Sequence, residues 1–317
     1  MIPAGYFPIG GKGRWRGHDD LGQVAATRDN GGHVAELSEL LGVLDLEPVG
    51  EGRFRAQNFA DGPGGVVFGG QLLAQSIVAG ASIDPTKEVK SIHTVFARGG
   101  APDKPLDIEV EAMHTGRALA SATVTVRQGE RLCTRSLVLL SAVEPDLIRH
   151  GVDAPSVGTP EDAPTGPSEG SFWEVRIVDG VDLSDPAAVG PPELFVWVRF
   201  PGAVAKGVIG QALLAYATDG FLIATAMRPH EGVGQAMSHV SISTSVLSHT
   251  LTFHEPIDAS QWHLLAHESP YAGRGRSYGR AHIFNSGGDV VASFVQDNMI
   301  RDFPEGQKPQ AGERSKT

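Results

Sequence analysis

Cysteine is almost missing from this chain of 317 residues: Cys133 stands alone. One thiol cannot close an intramolecular disulfide, so the fold must rest on burial and hydrogen bonding. A reducing compartment is expected, with the cytoplasm as the default. Positive charge is scarce too. Lys and Arg number 26 against 37 Asp and Glu, for a formal net charge of -11. That balance argues against nonspecific nucleic-acid binding and against adhesion to an anionic membrane surface. No apolar run reads as long enough to span a bilayer. Residues 1–13 lack an apolar core followed by a small-residue cleavage site, so no signal peptide is expected. The histidines near Pro229 have no metal-ligand spacing such as His-x-x-x-His with a third ligand, and no metal is expected.

Apolar residues are plentiful, at 41% of the chain, enough for a sizeable core. Residues 1–33 are rich in Gly, Arg and Asp and read as an extension. Residues 33–45 place apolar side chains at helical spacing, and 46–59 read as an opening strand and turn. The Pro- and Gly-rich stretch 60–65 reads as a loop. The run 68–83 opens on Gly69-Gly70 and is apolar on nearly all sides, which predicts a buried helix. From 89 to 143 the period changes to two. Strands are predicted over 91–97, 106–114, 119–127 and 132–142, separated by turn residues such as Thr115-Gly116 and Gln128-Gly129.

Residues 144–171 are rich in Pro, Asp and Gly and read as a linker. Strands follow over 172–178 and 194–200, then a second apolar helix over 209–227. The two-residue period returns over 243–253, 262–269, 277–285 and 290–300. The polar end, 302–317, reads as a flexible tail.

The order of elements therefore occurs twice. Ser91-Ile92-His93-Thr94-Val95-Phe96 resembles Leu247-Ser248-His249-Thr250-Leu251-Thr252-Phe253, and Gly129 answers Gly288 before each last strand. Two copies at so long a period mean a duplicated unit rather than a solenoid. An antiparallel sheet around one apolar helix must pair its open edge with something, and the other copy is the nearest candidate. The expectation is an α+β fold in which two antiparallel sheets each wrap a central apolar helix, with a small-molecule site between the copies.

Several residues suggest a family. Phe68-Gly69-Gly70-Gln71-Leu72-Leu73-Ala74-Gln75 followed by Ile92-His93-Thr94-Val95-Phe96-Ala97-Arg98 resembles the opening of the acyl-CoA thioesterase II family. Leu214-Ala215-Tyr216-Ala217-Thr218-Asp219-Gly220-Phe221-Leu222, Pro229-His230-Glu231-Gly232, His249-Thr250-Leu251-Thr252-Phe253-His254-Glu255-Pro256 and Val290-Val291-Ala292-Ser293-Phe294-Val295-Gln296 resemble its later segments. The resemblance runs from about residue 35 to 301. It implies a double hotdog, with repeats over 34–143 and 172–301, and hydrolysis of fatty acyl-CoA. Coenzyme A is then part of the substrate, and no separate cofactor is implied. A homodimer or larger homo-oligomer is implied as well.

The resemblance also implies a water held by an Asp, a hydroxyl and a Gln. The Asp carries over to Asp219 and the Gln to Gln296. The hydroxyl position falls on Val246, so Ser245 or Ser248 is expected to supply it if the strand register shifts. Substrate contacts are expected from Gly69, Gly70, His93, His249, Arg274 and Arg276. Thioester hydrolysis needs an activated water and donors facing the developing oxyanion. A carboxylate such as Asp219 is expensive inside an apolar helix, and burial makes it a better base near neutrality. Gly69-Gly70 lets a ligand approach the backbone at a helix start, where the dipole favours negative charge.

Each residue also has a plainer reading. Asp219 can be a satisfied buried carboxylate and Gln296 a structural amide. His93 and His249 can hold strand ends, and Gly69-Gly70 can serve packing alone. Arg274, Arg276 and Arg280 can form a solvated face. A non-catalytic acyl-CoA binder on the same scaffold is the alternative that Val246 favours. A hotdog dehydratase would want a placed His–acid pair, which the sequence does not offer.

Overall fold

The computed structural model describes residues 36–59, 66–164, 172–202 and 206–303. The expected extension over 1–33, the loop over 60–65 and all but two residues of the expected tail lie outside them. The first half runs α1 (Leu37–Leu44), β1 (Glu47–Gly50), β2 (Arg53–Ala56), α2 (Gly69–Ala81), β3 (Glu88–Phe96), β4 (Leu106–Thr115), β5 (Leu119–Gln128) and β6 (Arg131–Ser141). The second half runs β7 (Glu174–Ile177), β8 (Glu193–Arg199), α3 (Gly207–Thr218), α4 (Leu222–Met227), β9 (Ile242–Phe253), β10 (His263–Gly273), β11 (Arg276–Asn285) and β12 (Val290–Asp302).

The two expected sheets are fused into one. Among the described residues a single 12-stranded sheet runs β1-β2-β4-β5-β6-β3-β9-β12-β11-β10-β8-β7. Read outward from the centre, the order is the same in both directions: β3, β6, β5, β4, β2, β1 on one side and β9, β12, β11, β10, β8, β7 on the other. The join is antiparallel, with Ile92 opposite Leu251, His93 opposite Thr250 and Thr94 opposite His249. Each half thereby satisfies an edge that alone would stay open. The pairing also corrects the repeat as the letters suggest it. Neighbouring pairs lie on opposite faces of a sheet. His93 is exposed on the outer face, bonded to Thr250, whereas His249 is fully buried on the inner face. The facial counterpart of His249 is Thr94. Where β9 and β12 place His249 opposite Gln296, β3 and β6 place Thr94 opposite Ser136, joined by a 2.8 Å hydroxyl bond.

The core lies between the sheet's inner face and the helices. Leu72, Leu73 and Ile77 of α2 and Leu213 and Leu214 of α3 pack with Ile92, Val138, Leu251, Phe294 and Ile283 in one cluster that crosses the join. Gln211 of α3 ties the halves further, accepting from the Val89 N–H and donating to the Val89 carbonyl of β3. The stretch Gly207–Met227 is long and apolar enough to cross a membrane by length and composition, contrary to the expectation from the sequence, but 83% of its apolar window is buried inside this protein. It is also not one helix. It breaks at Asp219-Gly220-Phe221, where Asp219 has ψ -2° and caps α3. Asp and Gly are both poor helix formers, and the break turns the carboxylate away from the helical path.

The segment read as a linker is packed. Ala154, Val157 and Ala163 cover Trp197, Trp262, Leu264 and Phe284 on the outer face of the second half. The Arg199 and Arg176 guanidiniums stack on Trp262 at 4.5 and 5.2 Å. The outer face of the first half has no such strap among the described residues, and Val95, Leu137 and Leu139 are exposed there.

The helices cross closely because α2 starts on two glycines. A Cβ on Gly70 would stand 2.4 Å from the Tyr216 carbonyl oxygen of α3, which cannot move without its helix. Gly70→Ala is expected to lower unfolding free energy by about 1–3 kcal/mol. Gly42→Ala, inside α1 with open space around the new methyl, is expected to raise it by about 0.5–1 kcal/mol. Denaturant titration of both variants checks the opposite signs.

Candidate active site

Three elements meet at Asp219. The end of α3 delivers Thr218 and Asp219, the start of α2 delivers Gly69 and Gly70, and adjacent strands β9 and β12 deliver His249 and Gln296 as a cross-strand pair. All four polar side chains are buried, none more than 2% exposed. Gln296 donates from Nε2 to Asp219 Oδ1 at 3.3 Å, and the same nitrogen lies 2.8 Å from His249 Nδ1. His249 Nε2 is 3.1 Å from Thr218 Oγ1, whose hydroxyl donates to the Ala215 carbonyl at 2.8 Å. The His249 ring stacks on Phe294, 5.3 Å between centroids.

Asp219 lies against the first turn of α2. A Cβ on Gly69 would stand 2.5 Å from Asp219 Oδ2, so only glycine lets the carboxylate approach this helix start. Burial pushes the Asp219 carboxyl well above its usual 3.8, and the Gly70 N–H pulls it back in part. Burial, with His93 nearby, holds His249 at about 3, so the ring is neutral throughout the physiological range. Asp219 Oδ2 and Gln296 Oε1 are buried without a hydrogen-bond partner among the described residues. Such atoms are costly in a core and are the ones a bound polar molecule would satisfy.

The structure thus gathers Asp219, Gln296, His249, Gly69 and Gly70, and leaves the other expected residues elsewhere. Ser245 and Ser248 pair with Met299 and Asp297 of β12. These alternate with Gln296 and Asn298, so both serines belong to the outer face. Ser248 donates to Asp297 there. Between Asp297 and Asn298 the register shifts, and Val246 falls opposite Asn298 on the inner face. A buried hydroxyl that the sequence did not single out is that of Thr218, next to Asp219 in the chain and bonded to the Ala215 carbonyl and His249. His93 points out to the other face. His249 is inside the site, but both ring nitrogens are occupied by Thr218 and Gln296, which leaves none for a substrate. Arg274 and Arg276 are exposed at the hairpin between β10 and β11, Arg274 with φ 54°. Arg280 is engaged by Glu268.

A separate open cavity lies between the strap and the sheet, lined by Arg149, His254, His282 and Ser293 among others. Ser293 is three residues from Gln296 on an unbroken stretch of β12, so this cavity is on the opposite face from Asp219. No group of three or more His, Cys, Asp or Glu among the described residues has the geometry to hold a metal.

Known proteins carry the same frame. The mouse acyl-coenzyme A thioesterase 8 is 28% identical, with 93% of this chain and 98% of the mouse protein aligned. The solved structure of an acyl-CoA thioesterase II from Mycobacterium marinum is 26% identical and superposes with a TM-score of 0.70 over 86% of this chain and 99% of that one. A hot dog fold protein of unknown function from Alicyclobacillus acidocaldarius superposes at 0.66 over 84% of this chain and 98% of that one, with 17% identity, and bears on the fold alone. The fold is a double hotdog. Residues 60–141 match the acyl-CoA thioesterase N-terminal domain and residues 152–300 match the acyl-CoA thioesterase C-terminal domain. With both domains matched in order over most of its length, this chain belongs to the acyl-CoA thioesterase II family.

Proposed function

We propose that this thioesterase hydrolyses acyl-CoA with a water held between Asp219 and Gln296. Asp219 takes a proton from the water as it attacks the thioester carbonyl carbon. The developing oxyanion faces N–H groups in the first turn of α2, where the helix dipole favours negative charge. Collapse breaks the C–S bond. Coenzyme A leaves as the thiolate, takes the proton from Asp219, and the fatty acid is freed. Water is the only other reactant. The observation that carries this reading is a fully buried carboxylate at a helix start, with Gln296 on one oxygen and the other unpartnered. A purely binding role is not favoured, because holding an acyl chain needs apolar walls and gives no reason to bury a carboxylate at a cost.

We also infer that copies of the chain associate through the uncovered outer face of the first half. Val95, Leu137 and Leu139 are 49%, 50% and 36% exposed on adjacent strands there, whereas the second half covers its own apolar outer face with the strap. Isolated exposed apolar residues are ordinary, but a contiguous set on a sheet face marks a contact surface.

Asp219→Asn is expected to lower kcat for thiol release from acyl-CoA by about 100- to 10,000-fold; a loss below tenfold would remove Asp219 from the mechanism. In the wild type the rate should fall on the acid side well above pH 3.8, because the base must be ionised and burial raises its pKa. The same shift has a stability sign. A carboxyl whose folded pKa lies above its unfolded value supports folding while protonated, and that support is lost as pH rises through the folded pKa. Asp219→Asn, which never ionises, should therefore melt higher than wild type at neutral or alkaline pH, with the difference shrinking in acid. Light scattering should give a dimer or larger for wild type and a smaller species for Leu137→Asp.

A further inference from the structure

The amide of Gln296 can sit either way round, and only one way helps Asp219. With Nε2 toward the carboxylate it donates to Oδ1. Turned over, it would set its carbonyl oxygen against a carboxylate oxygen. The hydrogen-bond chain behind it decides between the two. The Ala215 carbonyl can only accept, so the Thr218 hydroxyl must donate its proton there. Thr218 Oγ1 is then left to accept from His249, which places the imidazole proton on Nε2. Neutral imidazole has one proton, so Nδ1 carries the lone pair. The group 2.8 Å away must be a donor, and that group is the Gln296 amide N–H. The Ala215 carbonyl in the last turn of α3 thereby sets the direction of each bond in this chain, and the Thr218 main-chain carbonyl, 3.4 Å from Nε2, favours the same orientation of the amide.

We propose that His249, anchored by Thr218, is a positioning residue that fixes which way round the Gln296 amide sits and so keeps its N–H on Asp219 and its Oε1 free for the attacking water. The placement fits this role. His249 is fully buried, cross-strand from Gln296, and its ring plane is held within 14° of the Phe294 ring. It has no free nitrogen with which to take a proton from water, and its inward neighbour Thr94 is occupied with Ser136. The facially equivalent place in the first half holds that Thr94–Ser136 hydroxyl pair, which cannot orient an amide.

The inference rests on the Asp219–Gln296 reading, and the test separates the two. Steady-state kinetics of thiol release from acyl-CoA would be measured for wild type, His249→Ala, His249→Asn, Thr218→Val, Gln296→Ala, the double variant His249→Ala with Gln296→Ala, and Asp219→Asn. The expected result is a fall in kcat of about 100-fold for His249→Ala, with KM within about threefold. His249→Asn, whose side-chain oxygen can accept in place of Nδ1, should recover most of that loss. The acid limb of the pH profile should remain in His249→Asn, since His249 is not the group that titrates. In the Gln296→Ala background, His249→Ala should cost nothing further. Thr218→Val keeps the shape of the threonine and should lower kcat in the same direction; it serves if His249→Ala melts too low to assay. Equal losses from His249→Ala in both backgrounds, or wild-type kcat in His249→Ala or Thr218→Val, would overturn the positioning role. Wild-type kcat in Asp219→Asn would instead overturn the hydrolytic reading on which it stands.

Discussion

The antiparallel join between β3 and β9 is the constraint on which the rest of the molecule depends. Five residue pairs, from Ser91 opposite Thr252 to Val95 opposite Ser248, turn two six-stranded halves into one sheet. The join sets α2 and α3 side by side on the inner face, close enough for Gly70 to meet the Tyr216 carbonyl. It also puts β9 between β3 and β12, so that Thr94, His249 and Gln296 lie in one row across three strands. Without that row the end of α3 would have no strand residues to meet.

A second constraint follows from burying one charge. Asp219 lies where the broken helix ends, with no cation beside it among the described residues. Among the described residues, Gln296 donates to one carboxylate oxygen, the other has no hydrogen-bond partner, and the Gly70 N–H nearby only partly offsets the cost of burial. Neutral donors lower the cost of the ionised form without removing it. The carboxyl therefore stays basic, which a salt bridge would prevent. The surrounding histidine is neutral for the same reason, because burial that raises a carboxyl lowers an imidazole. The site combines a carboxyl of raised basicity with an imidazole held neutral.

Much of this was legible in the sequence, and the failures have physical causes. The helices and paired strands follow from their apolar periods, and Asp219 and Gln296 stand out as polar residues in apolar runs. The break after Thr218 was hidden because Asp219-Gly220 is a short interruption between two strongly apolar stretches. The hydroxyl was sought by counting along β9, but the register shift between Asp297 and Asn298 puts Val246 on the inner face and Ser245 on the outer one, where Ser248 already lies by plain alternation from His249. His93 and His249 match as letters yet differ by one step of the pleat, and one step reverses the face. The strap over Trp197 and Trp262 looked like a linker because Ala154, Val157 and Ala163 are small and scattered among prolines. Thr218 had one available signal, its place beside Asp219, but nothing in the chain shows that a helix end will meet His249.

The join also bears on how the chain reaches its native state. His93 and Thr250 are 157 residues apart in sequence. Contacts this distant require a long loop to close before they return any stabilisation, and such closures are slow. Local hairpins such as β5–β6 and β11–β12 need no such wait. On a ribosome, the first half emerges with the β3 edge bare and stays so until β9 has been made. The buried cluster of Asp219, Gln296 and His249 against Gly69 and Gly70, assembled from both sides of that seam, is therefore among the last features to appear, and a chain cut before β9 lacks both His249 and Gln296.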